Sequence, residues 1–513
     1  MTTSTTLLRE KSSIKLTGKE HEFKLPPQTP RFDESTRFLE LSYGELEKRN
    51  LELKKLRGEK KSQEFFKDLV LNVLKSEPMV KAVTLCFSDL EGKLHMLDYN
   101  KKYLLESYEN LTFDGSSIKG FTPQNCSDLR LHPDWTSFRW LPADVFGAGK
   151  VLMFGNVFNQ EGSPYNGDYR SNLMLLAEEL YKEQKIVVHV APEIEGFILK
   201  GENAEQHFDE RAGFELASEG GYFNVLPQDQ LRKFIDRLAE ATRALAFENE
   251  KDHPEVAPSQ FEMNYKYTDI LHAADQVQLY KVIARQIAKN FGFTACFLPK
   301  PTMKINGSGM HTNISLNQNG ENIFYDAKGK FNLSQKAHDF FTGILYHAND
   351  ICLALNPSVN AYRRLDPKFE APNEIKMSAN DRGSMIRIPL GNKRSARIEI
   401  RSIAPDANPY LTFFIILKAG LNGLDADEKT LQNYYHIYSK PVKKLPNNIY
   451  QAINLFKRSE FIKKTMTKEN REKYIHLKEN SAARCPRDLG TRVKAGEVWY
   501  HHEVTNQVLW NRF

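Results

Sequence analysis

The stretch Ala191-Pro192-Glu193-Ile194-Glu195-Gly196-Phe197 continues directly from Ile186-Val187-Val188-His189-Val190. The β-branched apolar run predicts a buried strand. Side chains alternate faces along a strand, so Glu193 and Glu195 project together while Ile194 points the other way. Two carboxylates that close repel, and burial raises the pKa of each unless a cation sits between them. Hard divalent ions such as Mg²⁺ or Mn²⁺ take oxygen ligands of this kind. A lone pair of glutamates also suits a solvated strand end, so the reading turns on further ligands elsewhere in the chain.

Four other stretches supply them. In His253-Pro254-Glu255-Val256-Ala257-Pro258-Ser259-Gln260-Phe261-Glu262, two carboxylates flank a proline-bearing bend that can fold them towards one point. Lys304 to Ser315 is a glycine-rich turn, Asn306-Gly307-Ser308-Gly309, running into an alternating strand. On that strand His311, Asn313 and Ser315 share one face, a metal ligand beside groups able to contact phosphate. The third stretch gathers Asn356 to Arg364, then Phe369-Glu370-Ala371-Pro372 and Asp381 to Arg387; the fourth is Arg397-Ile398-Glu399-Ile400-Arg401. A surface holding Arg364, Arg382, Arg387, Arg397 and Arg401 suits bidentate capture of phosphates and carboxylates. Such a mixture of buried charges is a poor stability device. Together these groups point to metal-assisted phosphoryl transfer. There is no Walker-type loop and no kinase-type glycine loop, so metals and arginines would hold the nucleotide.

Length and composition agree with a soluble globular protein of two or more domains. The chain has 513 residues, 41% hydrophobic and 27% charged, with a net charge of +6. That charge is small for the size and argues against a dedicated nucleic-acid binder. No apolar run reaches the length of a membrane span, and the first residues lack the pattern of a secretory signal. The five cysteines, Cys86, Cys126, Cys296, Cys352 and Cys485, are scattered without C-x-x-C spacing. This predicts free thiols in a reducing compartment and a cytoplasmic location.

Along the chain, residues 1–61 are polar and broken early by Pro26, Pro27 and Pro30. The charged run 45–57 carries Leu46, Leu53 and Leu56 on one helical face, but is expected to be a frayed, solvated extension rather than a docked helix. Residues 62–165 read as one helix and then a small β-rich domain, with strands at 82–87 and 151–154 and a turn-rich loop, Phe113 to Phe121. From 166 onward the texture is α+β, with helical spacing at 173–183, 228–246, 274–290 and 334–355. The part beyond about 426 is basic and mainly helical.

The segments FDGSSIKGF, APEIEGF, EVAPSQFE, NGSGMH, NPSVNAYRRL, FEAP, DRGSMIRIP and RIEIRS, the last followed by APDANPYL, resemble the glutamine synthetase family, type I branch, in order across about 62–513. The resemblance implies an α+β protein: a small N-terminal β-grasp domain at 62–165 and a large catalytic α/β domain at 166–513. It also implies a homo-oligomer, usually a dodecamer of two stacked hexamers, with active sites between subunits. ATP, glutamate and ammonia are the implied substrates, with two or more Mg²⁺ or Mn²⁺ ions.

Carried over by position, Glu195, Glu255 and Glu262 resemble the ligands of one metal, and Glu193, His311 and Glu399 those of the second. Asn306 and Gly307 match positions holding glutamate, and Arg364 the arginine pairing with its α-carboxylate. Arg382 and Arg401 match those handling the γ-carboxylate and phosphoryl group. Arg387, Arg397 and Ser315 match nucleotide-phosphate contacts, and Tyr267 an adenine-side contact. Asp114, from a neighbouring subunit and beside Asp128, resembles the group that helps deprotonate ammonium. Glu370 resembles the carboxylate of a closing loop.

The sequence departs from the family pattern at several points. Ser259 stands where glycine is usual, Lys368 precedes the closing-loop aromatic, Tyr169 replaces proline, and Asn313 replaces a histidine of many members. The surroundings of Tyr438 do not reproduce an adenylylation site, so no such regulation is expected. None of these changes removes a metal ligand or a charge-handling arginine, so activity is expected. The alternatives are a ligase joining glutamate to a larger amine, such as a polyamine or ethanolamine, and a non-catalytic structural relative on the same fold.

Overall fold

The computed structural model describes residues 39–207, 213–224, 229–439 and 441–483. Two sheets organise them. The first comprises β1 (Ala82–Ser88), β2 (Leu94–Asn100), β3 (Thr112–Asp114), β4 (Asp128–Trp140) and β5 (Lys150–Phe158), in the order β2-β1-β5-β4-β3. The strands expected at 82–87 and 151–154 are β1 and β5, and they pair in parallel at its centre. Being apolar on both faces, they take the positions covered on both sides, as buried parallel strands do.

The second sheet is ten-stranded and forms around β6 (Ile186–Lys200). On one side β6 pairs with β8 (Gln260–Tyr265), which carries β7 (Asn249–Pro254). On the other it pairs with β11 (Met310–Gln318), followed by β15 (Ile398–Ile400), β14 (Ser384–Arg387) and β13 (Glu374–Ser378). Short strands β9 (Thr268–Asp269) and β10 (Phe293–Cys296) also add to β6, and β12 (Glu321–Asn322) adds to β11. Burial along β6 alternates as the sequence pattern requires: Val188, Val190 and Ile194 are in the core, and His189, Glu193 and Glu195 face the other way. Helices Ile270–Asn290 and Pro409–Leu424 bury most of their length behind the sheets.

An ion network joins the two parts. Arg170, the second residue of helix Tyr169–Gln184, is fully buried. It donates to both oxygens of Asp275 at 2.9 and 2.8 Å, to Asp134 of β4 at 2.7 Å and to Asn156 of β5 at 2.7 Å. Tyr410 donates to the same Asp275 at 2.7 Å. Burial alone would lift Asp134, but Arg170 and its hydrogen-bonding neighbours hold it down to about 2.

Two expectations are corrected. The run 45–57 is not a solvated extension: α1 (Tyr43–Gly58), capped by Ser42, docks with Leu46, Asn50 and Leu53 buried. Asn50 explains why, since its amide donates to Trp140 O at 2.9 Å and Ala244 O at 2.8 Å and accepts from Trp140 N–H at 3.0 Å. Those bonds clamp α1 across the small sheet and helix Gln230–Ala244. The helix expected over 334–355 is two helices, Gln335–Tyr346 and Ala348–Leu355, interrupted at His347. There the imidazole is held by Asn422 at 2.8 Å and Asp350 at 3.1 Å, with its backbone out of the helical region. After α1 comes α2 (Gln63–Ser76), the helix expected before the first sheet.

Cys86, Cys126, Cys296 and Cys352 are free thiols; Cys485 and the prolines of the first 38 residues lie outside the described residues. The side chain of Tyr438 does too. Among the described residues no helix is long and apolar enough to cross a membrane.

Candidate active site

The register of the second sheet aligns acidic side chains from strands distant in sequence. Glu193 of β6 lies opposite His311 of β11. Two residues on, Glu195 lies opposite Glu262 of β8, which in turn lies opposite His253 of β7. The result is two groups whose ligand atoms lie within 4.8 Å of one another: Glu193, His311 and Glu399, and His253, Glu255 and Glu262. Both face one cleft of about 180 Å³, which Arg364, Arg382, Arg387, Arg397 and Arg401 also line.

Glu195, opposite Glu262 in the β6–β8 ladder, lines the same cleft. Its carboxylate accepts from Gly309 N–H at 2.7 Å and the Gln260 amide at 3.2 Å, and lies 3.3 Å from His311 Nε2. His253 also stands beside Glu255 and Glu262; only the hairpin register of β7 and β8 could have revealed it, because the sequence shows a histidine before a glutamate and no more.

Crowded carboxylates in a buried place resist ionising. Burial and then Glu262 push Glu193 up to about 8. Burial and its neighbours likewise raise Glu262 to about 8, and burial with Glu262 raises Glu195 to about 7. Glu255 is also raised, by burial and Glu195. Glu399 goes the other way: burial would lift it, but His311, Arg401 and Arg387 hold it far below the usual range. His311 is pushed down to about 3 by burial and Arg401, so its imidazole is neutral. Oxygen-rich groups with one neutral imidazole, repelling one another for want of positive charge, fit hard divalent cations.

The arginines divide their work. Arg387 and Arg401 each reach Glu399 at 2.5 Å. Arg364 is buried, donating to Ile403 O at 3.2 Å and Arg401 O at 3.0 Å. The backbone at Gly309 comes so close that an added Cβ would lie 2.4 Å from Arg364 Nη2 and 2.5 Å from His311 Nε2. Arg397 donates to Asn313 Oδ1 at 2.9 Å, and the Asn313 amide donates to Glu193 at 2.8 Å. Asn313, placed with the phosphate-contacting face in the sequence, thus links an arginine to a carboxylate.

A loop covers one side. Glu370, with φ of +58°, ends the turn Pro367–Phe369 and accepts from the Asn306 amide at 3.1 Å. The ammonium group of Lys300 lies 3.8 Å from the ring centre of Phe369. Ser259, the departure from glycine, adopts a φ of +63° while fully buried. Its hydroxyl donates to Ser218 O at 2.9 Å and accepts from Ser218 N–H at 2.7 Å, which holds a serine where glycine would be unstrained.

Of the residues singled out in the sequence, the cleft does not include Tyr267, Ser315 or Asp114. Tyr267 is 45% exposed and packs its ring on His189 at 4.6 Å. Ser315 lies opposite the same His189 in the β6–β11 ladder, so both mark the outer end of the sheet's open face. Asp114 is on the small sheet, opposite Asp128, exposed and tied to Ser116 N–H at 2.8 Å and to the hydroxyls of Ser116 and Ser117. Tyr222 and Phe223, which the sequence reading passed over, line the cleft as a stacked pair beside His253.

The sequence pattern of the glutamine synthetase β-grasp domain matches residues 79–160, and that of the glutamine synthetase catalytic domain matches residues 166–491. The glutamine synthetase of Methanosarcina mazei is 36% identical over 423 residues, 80% of this chain and 93% of that one. That of Staphylococcus aureus is 34% identical over 418 residues, 78% of this chain and 91% of its own. Among solved structures, a GmaS/ADP complex superposes with a TM-score of 0.69 at 23% identity, over 83% of this chain and 97% of that one. The small β-grasp unit and the large mixed unit expected from the sequence are therefore present, and the chain belongs to the glutamine synthetase family of ligases.

Proposed function

We propose that the protein is an ATP-dependent glutamate–ammonia ligase that forms glutamine through γ-glutamyl phosphate. The observation that carries this reading is the pair of ligand groups, Glu193–His311–Glu399 and His253–Glu255–Glu262, facing one arginine-lined cleft. Two divalent cations held by these groups, with Glu195 as a further ligand beside Glu255 and Glu262, would neutralise phosphate charge. The chain's own groups account for the rest. Arg364 and the Asn306–Gly307 turn would hold glutamate, and Arg382 and Arg401 would orient its γ-carboxylate for in-line attack on the terminal phosphate. Arg387 and Arg397 would fix the nucleotide phosphates, with Tyr267 and Ser315 at its outer end. Acyl phosphate is attacked readily by water, so the Glu370 loop would exclude it. Asp114 of the partner subunit, with Glu255 and Glu370, would bind ammonium and remove a proton, freeing ammonia to attack the acyl carbon and expel phosphate.

A second reading transfers glutamate to a larger amine. It is favoured by Tyr222 and Phe223, 45% and 56% exposed beside His253 and Glu255, which offer an alkyl chain an apolar surface. Phosphate release with ATP, Mg²⁺ and glutamate, measured over ammonium, methylamine, ethanolamine and putrescine, separates the two. Turnover with ammonium supports the first reading; turnover with an alkylamine and none with ammonium overturns it.

A further inference from the structure

A second cavity, of about 540 Å³, lies between the α1–α2 link, helix Tyr169–Gln184 and the start of β6, and shares no lining residue with the cleft. Its size falls in the range of small-molecule sites. Phe66, Ile186, Val188 and Leu271 give it apolar walls.

Its charged groups are unevenly matched. The carboxylates are committed: Asp134 to Arg170, Gln63 and Thr136, and Asp269 to His272 and the N-terminus of helix Ile270–Asn290. Lys182 pairs with Glu178 at 3.4 Å, and Lys61 with Glu59 at 3.7 Å. Arg57 and Lys60 form no ion pair among the described residues. Arg57 donates one bond, to Thr136 O at 3.1 Å, and burial and then Arg139 push its guanidinium well below its ordinary range. Lys60, in the left-handed region at φ of +56°, sets its ammonium 5.2 Å from the centre of the Tyr181 ring.

An imidazole in the wall also lacks a partner at one nitrogen. His272 is 8% exposed; its Nδ1 engages Asp269 at 2.9 Å, while Nε2 has no hydrogen-bond partner. Two cations that face Asp269 without a direct ion pair, an unpartnered buried imidazole nitrogen and apolar walls describe a receptor for a negative group on an apolar body. The N-terminus of the 14-residue helix α2 opens on the same space and favours negative charge as well.

We propose that this cavity binds a small organic anion with an aromatic body, its charge taken by Arg57 and Lys60 and its ring by the apolar walls. The inference does not depend on the reaction catalysed in the cleft.

The test uses 8-anilinonaphthalene-1-sulfonate as probe, titrated into the full chain with excess Mg²⁺ and ATP and followed by its fluorescence. The expected result is saturable binding at one site per chain. Lys60→Glu, at an exposed position, should weaken it by about tenfold or more, and Ala177→Phe, which fills the cavity, should abolish it, both with melting temperature unchanged. Uncharged N-phenyl-1-naphthylamine should bind at least about tenfold more weakly than the sulfonate. Should Ala177→Phe fail to fold, Lys60→Glu and the neutral probe still decide. No saturable binding, titrations unaltered in Lys60→Glu, or equal binding of the neutral compound would overturn the proposal.

Discussion

His311 Nδ1 lies 3.4 Å from Glu399 Oε1, and the same carboxylate is gripped by Arg401 through Oε1 and by Arg387 through Oε2, both at 2.5 Å. A neutral imidazole and an ionised carboxylate thus stand together, their states fixed by the two guanidiniums. Glu399→Gln keeps the shape and removes the charge. It should lower kcat/KM by at least about 100-fold, the upper end of the loss seen even when a group merely supporting a metal ligand is removed. Circular dichroism should show the fold retained; near-normal turnover would count against a catalytic role for Glu399.

The raised carboxyls make metal binding pH-dependent. Burial and the neighbouring carboxylates push Glu193, Glu195 and Glu262 up to about 8, 7 and 8 in the folded chain, against 4.5 for a free glutamate. Between those values the metal-free folded chain holds more protons than the unfolded one, so its stability falls as pH rises from about 5 to 8. A divalent cation needs the carboxylates and displaces those protons, so it binds more tightly across the same window. The rise in melting temperature produced by Mn²⁺ should therefore be larger at pH 8 than at pH 6. Equal shifts at both would show that these groups are already ionised without metal.

Arg170 should be the costliest single loss in the scaffold. Arg170→Met would strand Asp134 and Asp275 without their cation in a fully buried place. Breaking a buried pair from one side costs about 3–5 kcal/mol. Denaturant unfolding of the variant should report a loss of that size, and a loss below ~1 kcal/mol would mean the two carboxylates find other partners.

The clamp on α1 makes a similar claim for the N-terminal helix. Asn50→Ala would leave Trp140 N–H and the carbonyls of Trp140 and Ala244 without their side-chain partner, at about 1–3 kcal/mol for each buried group stranded. Hydrogen exchange in 43–58 should speed up with it; unchanged protection would mean that Leu46 and Leu53 alone hold the helix.

These cases show what could be read in the sequence and what could not. The period of two along β6 revealed Glu193 and Glu195 as one face, and the arginine-rich strand around Glu399 announced its chemistry. The α1 interface was hidden because its central buried residue is an asparagine in a charged run, which a hydrophobic pattern counts as surface. The break at His347 was hidden for a related reason: apolar spacing continues through it, and the Asn422 side chain that meets its ring is remote in sequence. His253 reached the acidic group through a hairpin register that a single sequence does not contain.

Asp114 tests the assembly. It lies on the small sheet, outside its own chain's cleft, and the proposed reaction draws it from a partner subunit. Asp114→Asn and Glu399→Gln subunits, each inactive alone, should regain activity when unfolded and refolded together, because some clefts then combine two intact halves. Mixtures no more active than either parent would place the proton acceptor elsewhere.

The central claim is that the cleft holds two divalent cations on separate ligand groups, and counting Mn²⁺ by equilibrium dialysis in the presence of ATP tests it most directly. The wild-type chain should bind two ions tightly in the cleft, and Glu262→Gln and Glu399→Gln one each. Wild-type protein binding none, or both variants still binding two, would contradict it.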